Sequence, residues 1–206
     1  MGKIIEVRFE HSRTMCIALQ RLCHFYEVPG WIGKDIKWDE MDQFYIKNHG
    51  DKYWWANRYA GANLPDFVFK AFENNDDLTG AEKKIMKIVS KEKGPYYVAA
   101  TAENCLMVRD HELAHAMWYL DEEYRDKATK IVDKYWDKCS ILVSHLSQHY
   151  DGAVLKDEVH AYVGVYTMYL NGAFVPYPMD MHRELKDLFD EYIVNYEPRF
   201  VKYGKK

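Results

Sequence analysis

The chain has 206 residues, 48% of them hydrophobic and 29% charged, with a net charge of −4. This composition excludes a disordered chain, because enough apolar mass is present to offset chain entropy, and 11 Gly with 6 Pro exclude a collagen-like one. The negative balance gives no long-range pull toward DNA or an anionic bilayer, so neither nucleic acid nor membrane is an expected partner.

Residues 4–10 (IIEVRFE) alternate in polarity and predict a strand. Arg13 to Glu27 repeats apolar residues at helical spacing, and Pro29-Gly30 ends the run. Residues 31–63 hold a dense aromatic group, including Trp31, Trp38, Tyr45, Trp54 and Trp55, among turn formers. A long packed loop or short strands both fit, and a cover over a functional cleft is one expectation for it. Aromatic residues make up 16% of the chain, either as stacking platforms or as half-buried core side chains.

Pro65 reads as a first-turn proline opening a helix from Asp66 to Glu73. Thr79 and Glu82 stand at capping-box spacing and predict a helix to about Lys93. Its lysines, interspersed with Glu82 and Glu92, read as a solvated amphipathic face rather than a nucleic-acid patch. Tyr96 to Ala100 is the strongest strand signal. Helices are predicted over Glu103–Leu120, Glu122–Cys139, Ser140–His149, Leu155–Leu170 and His182–Tyr196, with a frayed tail at VKYGKK. The fold class is therefore helix-rich α+β with few strands, in a single domain spanning 1–206.

Four cysteines, Cys16, Cys23, Cys105 and Cys139, form no C-x-x-C pair and read as reduced, mostly buried thiols. The N-terminal MGKIIEVRFE lacks signal-peptide architecture, and no apolar run reaches the roughly 18 residues of a membrane span. A cytoplasmic location is expected.

Residues 111–115 read His111-Glu112-Leu113-Ala114-His115, an H-E-x-x-H pattern inside a segment that already reads as helix. Residues four apart lie on one helix face, so both imidazoles can reach one tetrahedral metal ion. Glu112 can approach an attacking water and take its proton. Apolar flanks, among them Leu106, Val108, Ala114, Ala116 and Met117, describe a buried helix. A third ligand is needed, and Glu158 in KDEVHAY is the first candidate, since a carboxylate on an inward-facing helix is rare unless paired or metal-bound. His160 is the second. The two point in different directions from one helix, so they do not both bind.

HELAH with a later helical glutamate resembles the zincin superfamily of zinc metallopeptidases, in its gluzincin variant. YYVAAT, DHELAHAMWYLDEEYR and DEVHAY are similar to a group of small microbial and viral proteins with a zincin-like core. The resemblance covers about residues 95–165. It implies a zincin-like core over about 95–200 behind an aromatic-rich part over about 1–94, zinc held by His111, His115 and Glu158, Glu112 as general base, and a peptide or protein substrate laid along an edge strand. The sequence departs from the family in two places. The metzincin extension is absent, and the position four residues after the third ligand, an aspartate in familiar gluzincins, is Tyr162. Tyr119, Tyr162 and His182 are the candidates for stabilising an oxyanion.

Other readings use the same residues. HELAH can be a packed helix face, or the metal can be held without turnover in a regulatory or interaction protein. Two histidines and a carboxylate also describe a non-haem iron triad, though those usually sit on barrel strands. A di-iron bundle needs a second E-x-x-H, and none is present. His145 and His149 form another i, i+4 pair, without a glutamate after the first, and read as a half-exposed helix face.

Overall fold

The computed structural model describes residues 2–34, 36–55, 59–103, 108–165, 169–170 and 173–204. Its elements in chain order are β1 (Lys3–Phe9), α1 (Ser12–Glu27), α2 (Trp38–His49), β2 (Gly61–Pro65), α3 (Asp66–Ala71), α4 (Gly80–Val89), β3 (Tyr96–Ala102), α5 (Arg109–Leu120) and α6 (Glu122–Tyr135). A 3₁₀ turn at Trp136–Cys139 leads to α7 (Ser140–Leu146), α8 (Leu155–Val165), the short strands β4 (Tyr169–Leu170) and β5 (Ala173–Phe174), α9 (Met179–Ile193) and β6 (Arg199–Lys202). The fold is α+β.

The main sheet has strand order β2-β3-β1-β6. Strand β1 runs parallel to both neighbours, pairing Ile5 with Val98 of β3 and with Arg199 of β6, while β2 is antiparallel to β3. A strand with parallel partners on both sides is covered on both faces. Alternation then divides the side chains. Ile4, Tyr97 and Ala99 join one core with residues of α5 to α9. Ile5, Val7, Phe9, Val98 and Ala100 join a second core with α1 to α4. The motif helix and the aromatic segment thus lie on opposite faces of the sheet.

Several boundaries differ from those predicted. Residues 31–63 contain a true helix, α2, and the first residues of the edge strand β2. The aromatic side chains obscure α2's period, but its ends are well marked: Glu40 closes a capping box on Lys37, and Gly50 ends the helix at φ 72°, a conformation that favours glycine. The aromatic residues are not chiefly a cover. Tyr45 and Trp55 are buried in the second core, and Trp31, Trp38, Trp54 and Tyr59 pack on it. Pro65 closes β2 and stands just before α3, which stops at Ala71. The Thr79–Glu82 capping box is present, but α4 ends at Val89; its lysines are exposed and Glu82, Ile85 and Val89 are buried. Helix α5 begins at Arg109 rather than Glu103, with Cys105 and Leu106 outside the described residues.

Further along, α7 stops at Leu146, and α9 begins three residues early, behind Pro178; α8 covers Leu155–Val165, residues 166–168 of the predicted Leu155–Leu170 helix lie outside the described residues, and Tyr169–Leu170 form β4. The expected frayed tail starts in β6, and the Tyr203 N–H donates to the Arg8 carbonyl at 2.9 Å. Strand β6 escapes pattern reading because it is short, and its neighbour β1 supplies the pairing.

Cys16, Cys23 and Cys139 are buried free thiols. Burial pushes Cys16 up to about 12, which keeps it from forming a reactive thiolate. No helix among the described residues is long and apolar enough to cross a membrane.

Buried His24 on α1 links the second core to pH. Its Nδ1 lies 2.6 Å from the Gln20 carbonyl, so that nitrogen must carry the proton, and Nε2 accepts from the Tyr45 hydroxyl. Burial lowers its pKa to about 4 from 6.5, against the Gln20 carbonyl. The native state therefore keeps His24 neutral while the unfolded chain takes up a proton. Stability from this term is full above pH 6.5 and is lost as pH falls toward 4, by about 3 kcal/mol at most. Urea midpoints of wild type and His24→Gln between pH 7.5 and 4 check it: the pH slope is expected to be shallower in the variant.

Candidate metal centre

Helix α5 packs on the sheet through Leu113, Ala114, Ala116 and Met117, all at most 1% exposed. The two alanines let the helix lie close. The chain turns at Asp121, whose carboxylate accepts from the Tyr124 N–H at 3.0 Å and opens α6. The chain returns through α6 and α7 to α8, which carries Asp157 and Glu158 in its first turn, where carboxylates complement the helix dipole.

This brings the predicted ligands together. Donor atoms of His111, His115 and Glu158 lie within 4.8 Å of one another, and all three residues are buried. The His111 and His115 Nε2 atoms are 3.2 Å apart, and Glu158 Oε1 is 3.6 Å from His115 Nε2. Glu158 Oε2 is buried without a hydrogen-bond partner. Two imidazole nitrogens converging with an orphaned buried carboxylate oxygen fit the donor set of zinc.

His160 is turned elsewhere. Its Nδ1 faces the Asp157 carbonyl and carboxylate at 3.3 and 3.4 Å, its Nε2 accepts from the Tyr124 hydroxyl at 2.7 Å, and its ring stacks on Trp118. Both nitrogens are thus engaged, and Glu158 takes the place beside the motif histidines.

The sequence pattern marks no partner for the motif histidines; in the structure the Asp157 carboxylate stands beside His115. Asp157 Oδ1 lies 2.9 Å from His115 Nδ1, so a carboxylate faces that nitrogen while Nε2 is the atom turned toward His111 and Glu158. Tyr162, at the position where familiar gluzincins carry an aspartate, touches the first motif histidine as a ring, with centroids 4.5 Å apart. The adjacent Asp-Glu pair in KDEVHAY was the available signal for Asp157.

Burial sets the electrostatics. It raises Glu112 to about 7, against His115 and an Asn63 hydrogen bond, and raises Glu158 to about 8. Burial works downward on His115, but Asp157 and Glu158 outweigh it and bring His115 up to about 10. His111 is held well below the ordinary histidine range by burial and by its neighbour His115. The pair therefore has one imidazole that resists protonation beside one stabilised by carboxylates, which one metal ion would replace with two neutral ligands.

Glu112 is positioned by the edge strand. Tyr97 OH donates to Asn63 Oδ1, leaving the Asn63 amide to donate to Glu112. Gly61 supplies the space: a Cβ there would lie 2.0 Å from Glu112 Oε1. Gly61→Ala is therefore expected to displace the carboxylate; under the function proposed below, that lowers kcat by about tenfold or more while metal content stays unchanged. Steady-state kinetics beside elemental analysis measures this. No sequence signal marked Gly61.

Of the oxyanion candidates, Tyr119 donates to Asp66 at 2.7 Å and His182 Nδ1 donates to the Val163 carbonyl at 2.6 Å. Only Tyr162 stands at the centre, its hydroxyl 3.5 Å from that of Tyr150. His145 and His149 are half-buried and outside the ligand group.

Scans of the chain against protein-family models, curated proteins and solved structures return no match.

Proposed function

We propose that this protein is a zinc-dependent hydrolase acting on a peptide or related amide bond. The observation that supports this best is the convergence of His111, His115 and Glu158 within 4.8 Å with Glu112 on the same helix, next to the first histidine. His111, His115 and Glu158 would hold the ion, and Asp157 orients His115. Zinc, when bound, acidifies a water molecule and polarises a carbonyl. Glu112, kept near neutrality by burial, takes the proton of the attacking water and returns it to the leaving amine. Asn63 and Gly61 hold its carboxylate in place.

A second reading draws on the closure of the site. His111 is 7% exposed, Glu112 4%, His115 1% and Glu158 2%. A centre so enclosed also suits a protein that holds metal for regulation or partner binding without turnover.

The test is the metal content of purified protein by elemental mass spectrometry, with His111→Ala alongside. Zinc in wild type that is lost in the variant is the expected result. Absence of metal after zinc is offered would remove both readings and leave HELAH as a packed helix face.

A further inference from the structure

His160 lies beside the candidate centre without joining it. The residue sits on α8, two positions after Glu158, and is 1% exposed. Its ring is clamped between two other helices. It stacks on Trp118 of α5, with centroids 5.0 Å apart, and meets the Tyr124 ring of α6 edge-on at 5.4 Å.

The two nitrogens of this clamped ring point along one line. Nδ1 faces two oxygens of Asp157, the carbonyl at 3.3 Å and Oδ1 at 3.4 Å. A carbonyl oxygen only accepts, so Nδ1 carries the proton. In the neutral ring Nε2 is then an acceptor, and the Tyr124 hydroxyl donates to it at 2.7 Å. The same Asp157 Oδ1 lies 2.9 Å from His115 Nδ1. Tyr124, His160, Asp157 and His115 therefore stand in one row, drawn from α6, α8 and α5, that ends on a candidate ligand. Packing alone needs no such row. A phenyl ring in place of His160 would stack on Trp118 as well and bring no polar atoms into the interior, where each needs a partner. A carboxylate, in contrast, turns readily about its last torsion. An N–H donated to Oδ1 by a clamped ring restricts that rotation and keeps the oxygen in front of His115.

We propose that His160, backed by Tyr124, is a positioning residue of the metal centre. It holds the Asp157 carboxylate, and through it the His115 ring, whose Nε2 faces His111 and Glu158. This rests on the metal reading of the site. Direct partners of ligating histidines change metal affinity about 10–100-fold, and a residue acting through such a partner belongs at the lower end, about tenfold.

The test is a double-mutant cycle with two readouts. One is zinc affinity, by competition with a chromophoric chelator. The other is the visible absorption of the Co²⁺-loaded protein, which reports the arrangement of the ligands. His160→Phe keeps a ring against Trp118 and removes both nitrogens. It is expected to weaken zinc by about tenfold and to alter the cobalt bands. In an Asp157→Ala background the same change is expected to have no further effect, since no carboxylate is left to hold. A side chain that only fills the core would weaken zinc equally in both backgrounds, or in neither. Either result overturns the proposal and leaves the metal site standing. If His160→Phe folds poorly, Tyr124→Phe, which deletes a single oxygen, takes its place in the cycle. A few-fold loss that disappears with Asp157→Ala is then expected, and no loss overturns the proposal. Wild type that binds neither zinc nor Co²⁺ removes the metal reading, and the proposal with it.

Discussion

Glu112→Gln is expected, under the proposed hydrolase function, to bind metal as wild type does and to hydrolyse peptide at least about a hundredfold more slowly. The two side chains have the same shape, so the space left by Gly61 and the Asn63 amide remain usable. The proton acceptor is lost. In wild type, burial holds Glu112 at about 7, near the pH at which a base both stands ionised and yields its proton again. The variant separates holding metal from using it. Metal content and kcat measured on the same preparation decide the matter. Unchanged turnover of any substrate found would exclude Glu112 as the base, and unchanged partner binding without hydrolysis in either protein would favour the non-catalytic reading.

The largest expected loss of stability lies on the other face of the sheet. Arg21 is completely buried. Its Nε and Nη2 donate to the two Glu82 oxygens at 2.8 and 2.9 Å, and its remaining hydrogens reach the Ile36 and Asp77 carbonyls and the Asp77 carboxylate. Glu82 also accepts from the Thr79 N–H at 2.7 Å, closing the α4 cap. Glu82→Ala leaves a guanidinium in the core without its main counter-charge and undoes the cap. A cost of about 3–5 kcal/mol is expected. Replacing both partners with apolar residues, as in Arg21→Met with Glu82→Leu, removes the stranded charge and should recover much of that loss. Urea denaturation of the single and double variants measures the difference; equal losses in both would show that the cap, and not the ion pair, carries the effect.

What could be read before folding follows the reach of each signal. HELAH was legible because its spacing and helical period are local. Glu158 was legible because a carboxylate among inward-facing apolar residues is unusual. Asp157 was not read as the partner of His115, because its role depends on how α8 rotates against α5. Gly61 had no local mark at all: it is defined by a gap beside Glu112. In the same way α2 was hidden by its aromatic residues, although the cap at Lys37 and Glu40 and the stop at Gly50 were present. Strand β6 needed β1 to be recognised as a strand.

The order of strands carries a consequence for synthesis on the ribosome. Strand β1 is made first, yet one of its two parallel neighbours is β6, at Arg199–Lys202. His111, His115 and Glu158 all emerge before that neighbour. The nascent chain therefore contains all three proposed metal ligands while one side of β1 is still open. Closing that side joins the most distant segments of the sheet, the slowest kind of contact to form. On the proposed metal reading, ion capture can thus precede completion of the sheet, with the ion holding α5 and α8 together while β1 waits for its last partner.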